Sequence, residues 1–478
     1  MVLYQSIALL KGVEKVKRRK QLIILGNGFD LACGLKSSYT DFFNDSTSKI
    51  LKYNSSEKEI SEILNGDDHT FDLKVEDLKH GYRLKEINSN VKDYNVTFWD
   101  LYFLIRKVCV NTHLADNHTL AWNDVESNIY YVLHLFSKSE KLNRSEFSEL
   151  DKEIFDFIES VLDSEDFKEY DGLPCDYLFD QLKIFEENFN KYIRNEVQGN
   201  DSYLTNAIKK LVKLKDNNVI HSKILSFNYS INKNNLSKNL DYNPIDAKYY
   251  LHGLKLLKSI DQWRNIHGIA KEGYPSKEII FGIDSDIVNK NRYKDKREYE
   301  KELQFTKTYR VAYNTDPSNQ FIVSKDIKLI TFYGHSLSSA DYSYFESIFD
   351  VLDIYNSDVI LQFYIGTYHS KFIQHNNPNF DHEKFEPLFT EISKRNNLLK
   401  RNAITNVYDL LRSYGETLNN NHGDNLLHKL LLENRIQFIE DAGAYRFSQE
   451  EYKKLNLTEE EIEYLNSEMN SISSANED

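Results

Sequence analysis

Leu22-Ile23-Ile24-Leu25 is a continuous apolar run with a β-branched pair at its centre, and Gly26-Asn27-Gly28 ends it abruptly. Such a run predicts one strand buried on both faces, as strands are inside a parallel sheet. The glycine turn then lies at the carboxyl end of the strand, where open α/β sheets bind anions. Glycine permits close approach of a pyrophosphate that a Cβ would block. The dinucleotide fingerprint asks for a third glycine where this chain has Leu31, and the nearest is Gly34. On its own the loop is equally well a tight strand-to-helix turn without a ligand.

A chain of 478 residues predicts two or three units, and 40% hydrophobic with 13% aromatic content is enough for real cores. The net charge of −14 argues against general nucleic-acid binding and against an anionic membrane surface. The basic run Lys15-Val16-Lys17-Arg18-Arg19-Lys20 reads as a solvated flank before the first strand. Cys33, Cys109 and Cys175 are far apart and form no CxxC pair, which excludes a four-cysteine zinc site and fits a reducing cytoplasm. The basic cluster follows the apolar N-terminal residues, the reverse of a signal peptide's order. No apolar run approaches the ~18 residues needed to span a bilayer.

Along the chain, residues 44 to 90 read as loops with one or two short helices. From Val91 to about Val212 the pattern is helical. Thr97 to Val110 is apolar on most sides, and Leu178, Leu182, Phe185, Phe189 and Ile193 form one apolar stripe over Asp176 to Val197. Strands are expected at Ile224 to Phe227, Tyr249 to Leu251, Glu278 to Gly282, Ile327 to Tyr333 and Asp358 to Ile365, with a helix over Tyr342 to Leu352. Strand-helix-strand order predicts a parallel sheet. The chain thus divides into a core of residues 21 to 44 and 215 to 375, a helical insertion from 45 to 214, and a helical C-terminal region from 376 to 478. In the last of these, Ser448 to Glu451 and Thr458 to Glu461 are capping boxes, the first with a staple from Phe447 to Tyr452.

In a doubly wound sheet, residues just past the strand ends share one crevice. Here those are Asn27 and Asp30, Asn228, His252, and His335 with Ser336. An imidazole, an amide, a carboxylate and a glycine turn in one crevice make an enzyme site. Each has a bland alternative: a turn histidine for His252, a helix cap for Asn228.

GNGFDLACGLKSSYTDF resembles the opening signature of the abortive-infection H (AbiH) family of bacterial anti-phage proteins. Further family-like segments follow in order: WNDVE at Trp122 to Glu126, SFNYS at Ser226 to Ser230, LHG at Leu251 to Gly253, IIFGID at Ile279 to Asp284, FTKTY at Phe305 to Tyr309 and YGHSLSSADYSYF at Tyr333 to Phe345. The order of segments is also similar, more remotely, to the sirtuin-like branch of nicotinamide-dinucleotide enzymes. That likeness implies a sirtuin-like Rossmann-type α/β fold. It implies that Asn228 positions a water or the nicotinamide ribose, that His252 is the general base, and that Gly26, Gly28 and Ser336 hold the dinucleotide. Asn27, Asp30, Gly334, His335 and Asp341 are grouped with them as NAD-contacting positions. Where ordinary sirtuins carry Asn-Ile-Asp this chain has Asn228-Tyr229-Ser230, and the zinc ribbon is missing. Protein deacylation is therefore disfavoured, and cleavage of NAD to nicotinamide and ADP-ribose is expected, with no metal.

A different chemistry competes. Asp30, Asp41, Asp124, Glu126 and Asp341 are carboxylates in or beside these motifs. If several met, they would hold Mg²⁺ for nuclease or nucleotide hydrolysis. Asp41 instead reads as a cap, and Asp124 and Glu126 differ by two on one helix. Trp122 reads as an anchor of the insertion against the sheet, with Asp124 or Glu126 capping or pairing. A third class is a non-catalytic sensor of a nucleotide or phage component. A phage-derived trigger and a homo-oligomer are admissible partners.

Overall fold

The computed structural model describes residues 19–51, 84–91, 93–111, 124–138, 149–242, 247–273, 279–285, 288, 296–313, 322–369, 382–418, 425–455, 457–459, 461–463 and 465. Among the described residues six strands form one sheet: β1 Arg19–Leu25, β2 Val219–Ser226, β3 Ile260–Asn265, β4 Ile327–Tyr333, β5 Ile360–Tyr368 and β6 Ile436–Tyr445. All neighbouring pairs are parallel and the order is β3-β2-β1-β4-β5-β6. This is the doubly wound order, in which the winding direction reverses between β1 and β4.

Alternation along β1 explains the two layers of helices. Leu22 and Ile24 face one side, with Phe345, Phe349, Leu410, Leu411 and Tyr414. Ile23 and Leu25 face the other, with Phe29, Ala207, Ile208, Leu211 and Leu256. The first side is covered by the helices Tyr342–Leu352 and His382–Thr417, the second by Tyr203–Leu214 and Ala247–Ser259. A third core joins Trp99, Phe103 and Phe185 of the insertion to Phe42 and Phe281 from the segments on either side of it. The expected stripe is buried there on the helix Pro174–Gly199, and Phe98–Asn111 packs against it.

Three expectations are corrected. Tyr249 to Leu251 is not a strand but part of the helix Ala247–Ser259, whose Gly253, Leu256 and Leu257 are buried at helical spacing. Ile279 to Gly282 belongs to no sheet strand. The Phe281 N–H donates to Glu186 Oε1 at 2.7 Å and its carbonyl accepts from Arg310 Nη1 at 3.0 Å, so side chains take the bonds a strand would make. The C-terminal region is not wholly helical, because β6 extends the sheet beyond residue 375. Ile327 to Tyr333 is a strand over its full predicted length. The segment 52–83 and Trp122 lie outside the described residues.

Candidate active site at the reversal of the sheet

Register sets the geometry. Leu25 pairs with both Ser226 and Tyr333, and Ser226 pairs with Asn265. Four strands therefore end at one level, and the residues after them meet: Gly26, Asn228, His267 and Gly334-His335. They line a cavity of about 430 Å³ together with Asn27, Gly28, Ser336, Lys307, Glu126 and Asp341.

The two turns at the reversal are locked backbone to backbone. The Gly26 N–H donates to Tyr333 O at 2.9 Å and the Gly28 N–H to Gly334 O at 2.8 Å. A Cβ on Gly26 would lie 2.4 Å from the His335 Cα, and one on Gly28 would lie 2.7 Å from the Gly334 Cα. Gly334 has φ +67°, and its own Cβ would meet the Phe29 nitrogen at 2.3 Å. The glycines are thus required for turn-on-turn packing, and the Gly26 and Gly28 amides expected to cradle a pyrophosphate already have acceptors. Asn27 stands at the cavity mouth and accepts from the Ser37 hydroxyl at 2.6 Å. Ser336 is exposed and also lines the cavity.

Asn228 is buried. Its Nδ2 donates to Asp30 Oδ1 at 3.0 Å, and its Oδ1 has no partner. The amide is therefore oriented, with its acceptor left for the cavity. Asp30 also accepts from Tyr203 Oη at 2.7 Å and from Ser230 Oγ at 2.5 Å. Burial pushes the Asp30 carboxyl up to about 6, with the hydrogen bonds from Ser230, Tyr203 and Asn228 opposing it. Ser230, in the Asn228-Tyr229-Ser230 segment, thus bonds to a carboxylate from the other side of the site.

Across the cavity lies a buried charged cluster. Lys307 Nζ is 2.8 Å from Asp341 Oδ1 and 3.2 Å from Glu126 Oε1. His335 Nε2 is 3.4 Å from Asp341 Oδ2, and His267 Nε2 is 3.6 Å from Asp341 Oδ1. The Leu337 N–H donates to His335 Nδ1 at 2.9 Å, which places the proton of neutral His335 on Nε2, toward Asp341. Burial favours a neutral Asp341, but Lys307 and the two imidazoles outweigh it and hold the carboxyl well below the usual range. Burial, then the Lys307 ammonium, pushes the His267 imidazole down to about 3. Burial also raises Glu126, against the pull of Lys307. Phe227 separates the two imidazoles, with ring centroids 4.4 Å from His335 and 5.4 Å from His267.

The structure thus brings together Gly26, Asn27, Gly28, Asn228, Gly334, His335, Ser336 and Asp341, with Asp30 directly beneath Asn228. It does not bring His252 there. That side chain is exposed on the Ala247–Ser259 helix and is not in the cavity wall. The histidine at a strand end is His267, two residues past β3 and followed by Gly268 at φ 95°. The five carboxylates do not gather either. Asp41 caps its helix through Ser38, and Asp124 caps the helix Val125–Lys138 through Ser127. Only Glu126 and Asp341 meet, and the Lys307 ammonium stands between them. Among the described residues, no three His, Cys, Asp or Glu are grouped so as to hold a metal ion.

Sheet order, winding and the position of the cavity define a doubly wound, Rossmann-type α/β protein. The description bacteriophage abortive infection AbiH matches residues 22–363, well over half of the chain, so the chain belongs to that family and to bacterial anti-phage defence by abortive infection. No curated protein and no solved structure matches it. Among the described residues, no helix is long and apolar enough to cross a membrane.

Proposed function

We propose that the cavity cleaves the glycosidic bond between nicotinamide and ribose in NAD, and that this depletion of NAD is how the protein aborts infection. The buried Asn228 amide is the observation with most weight: Asp30 fixes it, its Oδ1 is unpaired, and it sits where doubly wound sheets take nucleotides. Asn228 Oδ1 accepts from the attacking water or from a ribose hydroxyl. As the C1′–N bond breaks, cationic character develops on the ribose, and nicotinamide leaves as a neutral base. Two carboxylates, Asp341 and Glu126, face one ammonium, so the cluster favours that positive charge.

Water bonded to the ribose carbon is strongly acidic. A neutral imidazole therefore takes its proton even when burial holds that imidazole near 3. His267, whose Nε2 has no hydrogen-bond partner and lies 3.6 Å from Asp341 Oδ1, is assigned that role in place of His252, acting in the tautomer that leaves Nε2 without a proton. Both nitrogens of His335 face partners, which makes it a positioning residue for Asp341.

The test is nicotinamide release from NAD in EDTA, with the purified chain and in phage-infected cells that express it. Release is expected, and Asn228→Ala should lower it by ~10²-fold or more. NAD left intact in both settings would overturn the assignment. Mg²⁺-dependent loss of nucleic acid with intact NAD would establish the competing hydrolase chemistry.

A further inference from the structure

On the far side of the Asn27–Ala32 helix lies a second cavity, of about 750 Å³, walled by the helix Tyr203–Leu214, the Cys33–Lys36 loop and the end of β6. Its charge is opposite to that of the chain. Lys36, Lys209, Lys210, Lys213 and Arg446 line it, against the carboxylates of Asp41 and Asp441, in a protein of net charge −14. Asn206, Lys209, Lys210 and Lys213 recur at helical spacing, so one polar face of the Tyr203–Leu214 helix is turned into the groove while Ala207, Ile208 and Leu211 are buried behind it.

The central cation is built in. The Lys210 side chain is only 14% exposed, and its Nζ is hydrogen-bonded to Tyr333 Oη at 3.0 Å and to Asp441, which also accepts from Tyr333. The ammonium also lies 5.0 Å from the centroid of the Tyr333 ring. An ordinary surface lysine is free to swing; this one is held at a fixed point in the groove floor. Tyr333 directly precedes Gly334-His335, and Tyr445 borders both cavities, so the groove adjoins the first site without being part of it.

We infer that this groove is a separate binding site for a compact polyphosphate, carried by a nucleotide or free. Several cations around one concavity match a multiply charged anion. The volume is that of a small-molecule site. A long polyanion would instead meet the field of a strongly acidic chain. The site is independent of NAD cleavage, which the following experiment does not measure.

Titration calorimetry of the full chain at low ionic strength, with sodium tripolyphosphate, with ATP and with a short single-stranded oligonucleotide, tests it. The expected result is one saturable site for tripolyphosphate or ATP that weakens as salt rises. Binding of both shows that phosphate alone suffices; binding of ATP alone shows that the nucleoside is read as well. The double variant Lys36→Glu, Lys213→Glu alters two exposed positions, and circular dichroism checks its fold. It should bind roughly tenfold more weakly or worse, whereas Asn228→Ala should bind unchanged. No binding, binding that ignores the two charge reversals, binding lost on Asn228→Ala, or preference for the oligonucleotide would each overturn the assignment.

Discussion

Asp30 shows how a short-range pattern hides a long-range role. In sequence it is a carboxylate two residues past a glycine turn; in the fold it holds Asn228, Tyr203 and Ser230 together. Burial raises it from 3.8 to about 6, on the order of 3 kcal/mol of linkage. The sign follows from proton binding. Between pH 4 and 6 the folded state holds a proton that the unfolded state has released, so this contribution is full below about 4 and is lost as pH rises through about 6. The melting temperature of Asp30→Asn minus that of the parent should therefore rise from pH 4 to pH 7; parallel curves would sink this account. The histidines make a second contrast. His252→Ala should leave both turnover and melting temperature unchanged, because the side chain faces solvent. His267→Ala should cut nicotinamide release by ~10²-fold or more. Steady-state rates on the two variants decide it, and the reverse pattern would return the base to His252.

The parts of the sheet that could be read from the sequence are strands buried on both sides, or, in β5, fully buried on one face with large apolar and aromatic residues on the other. β1, β2, β4 and β5 carry continuous or dense apolar runs, and their ends pointed to Gly26, Asn228 and Gly334-His335. The edge strands could not be read. β3, Ile-Asp-Gln-Trp-Arg-Asn, is only half-buried, and β6 carries Glu440, Asp441 and Gly443. Missing β3 meant missing His267, and the nearby Leu251-His252-Gly253 took its place. Lys307 lies inside a segment marked in the sequence only by its family likeness, and nothing local signals that Glu126, far back in the chain, meets it. Ile279 to Gly282 has strand composition, but its bonding is decided by Glu186 and Arg310, which come from two other elements. That clip gives a prediction. Both oxygens of buried Glu186 face the Arg310 guanidinium, and burial raises the Glu186 carboxyl even against that pull. Arg310→Leu leaves a buried carboxylate without its cation, a change of about 3–5 kcal/mol. Thermal melting at pH 7 should show a large loss that Glu186→Gln combined with Arg310→Leu partly restores; equal losses for the single and double variants would mean that the pair is only packing.

The family match ends at residue 363, inside β5, yet the sheet does not. β6 pairs with β5 from Leu361 to Tyr368. The helix His382–Thr417 brings Val407, Leu410, Leu411 and Tyr414 onto the same core as Phe349, Leu352, Leu361 and Phe363. The C-terminal region is therefore structural cover for the Rossmann-type core as well as an appendage to it, and Tyr445 carries it into the cavity wall. A chain stopped after His369 would leave β5 as an unpaired edge and uncover those four large side chains. At roughly 1.5–3 kcal/mol each, their exposure amounts to about 6–12 kcal/mol, against a total stability of about 5–15 kcal/mol for a typical domain. An exposed hydrophobic edge is also a template for pairing with other chains. The truncated protein should then lack a cooperative melting transition and should aggregate on expression, while the full chain melts cooperatively. Differential scanning calorimetry of the two decides the matter. A sharp transition in the truncated chain, at a temperature near that of the full protein, would show that the five-stranded core stands alone and that the C-terminal region serves some other end.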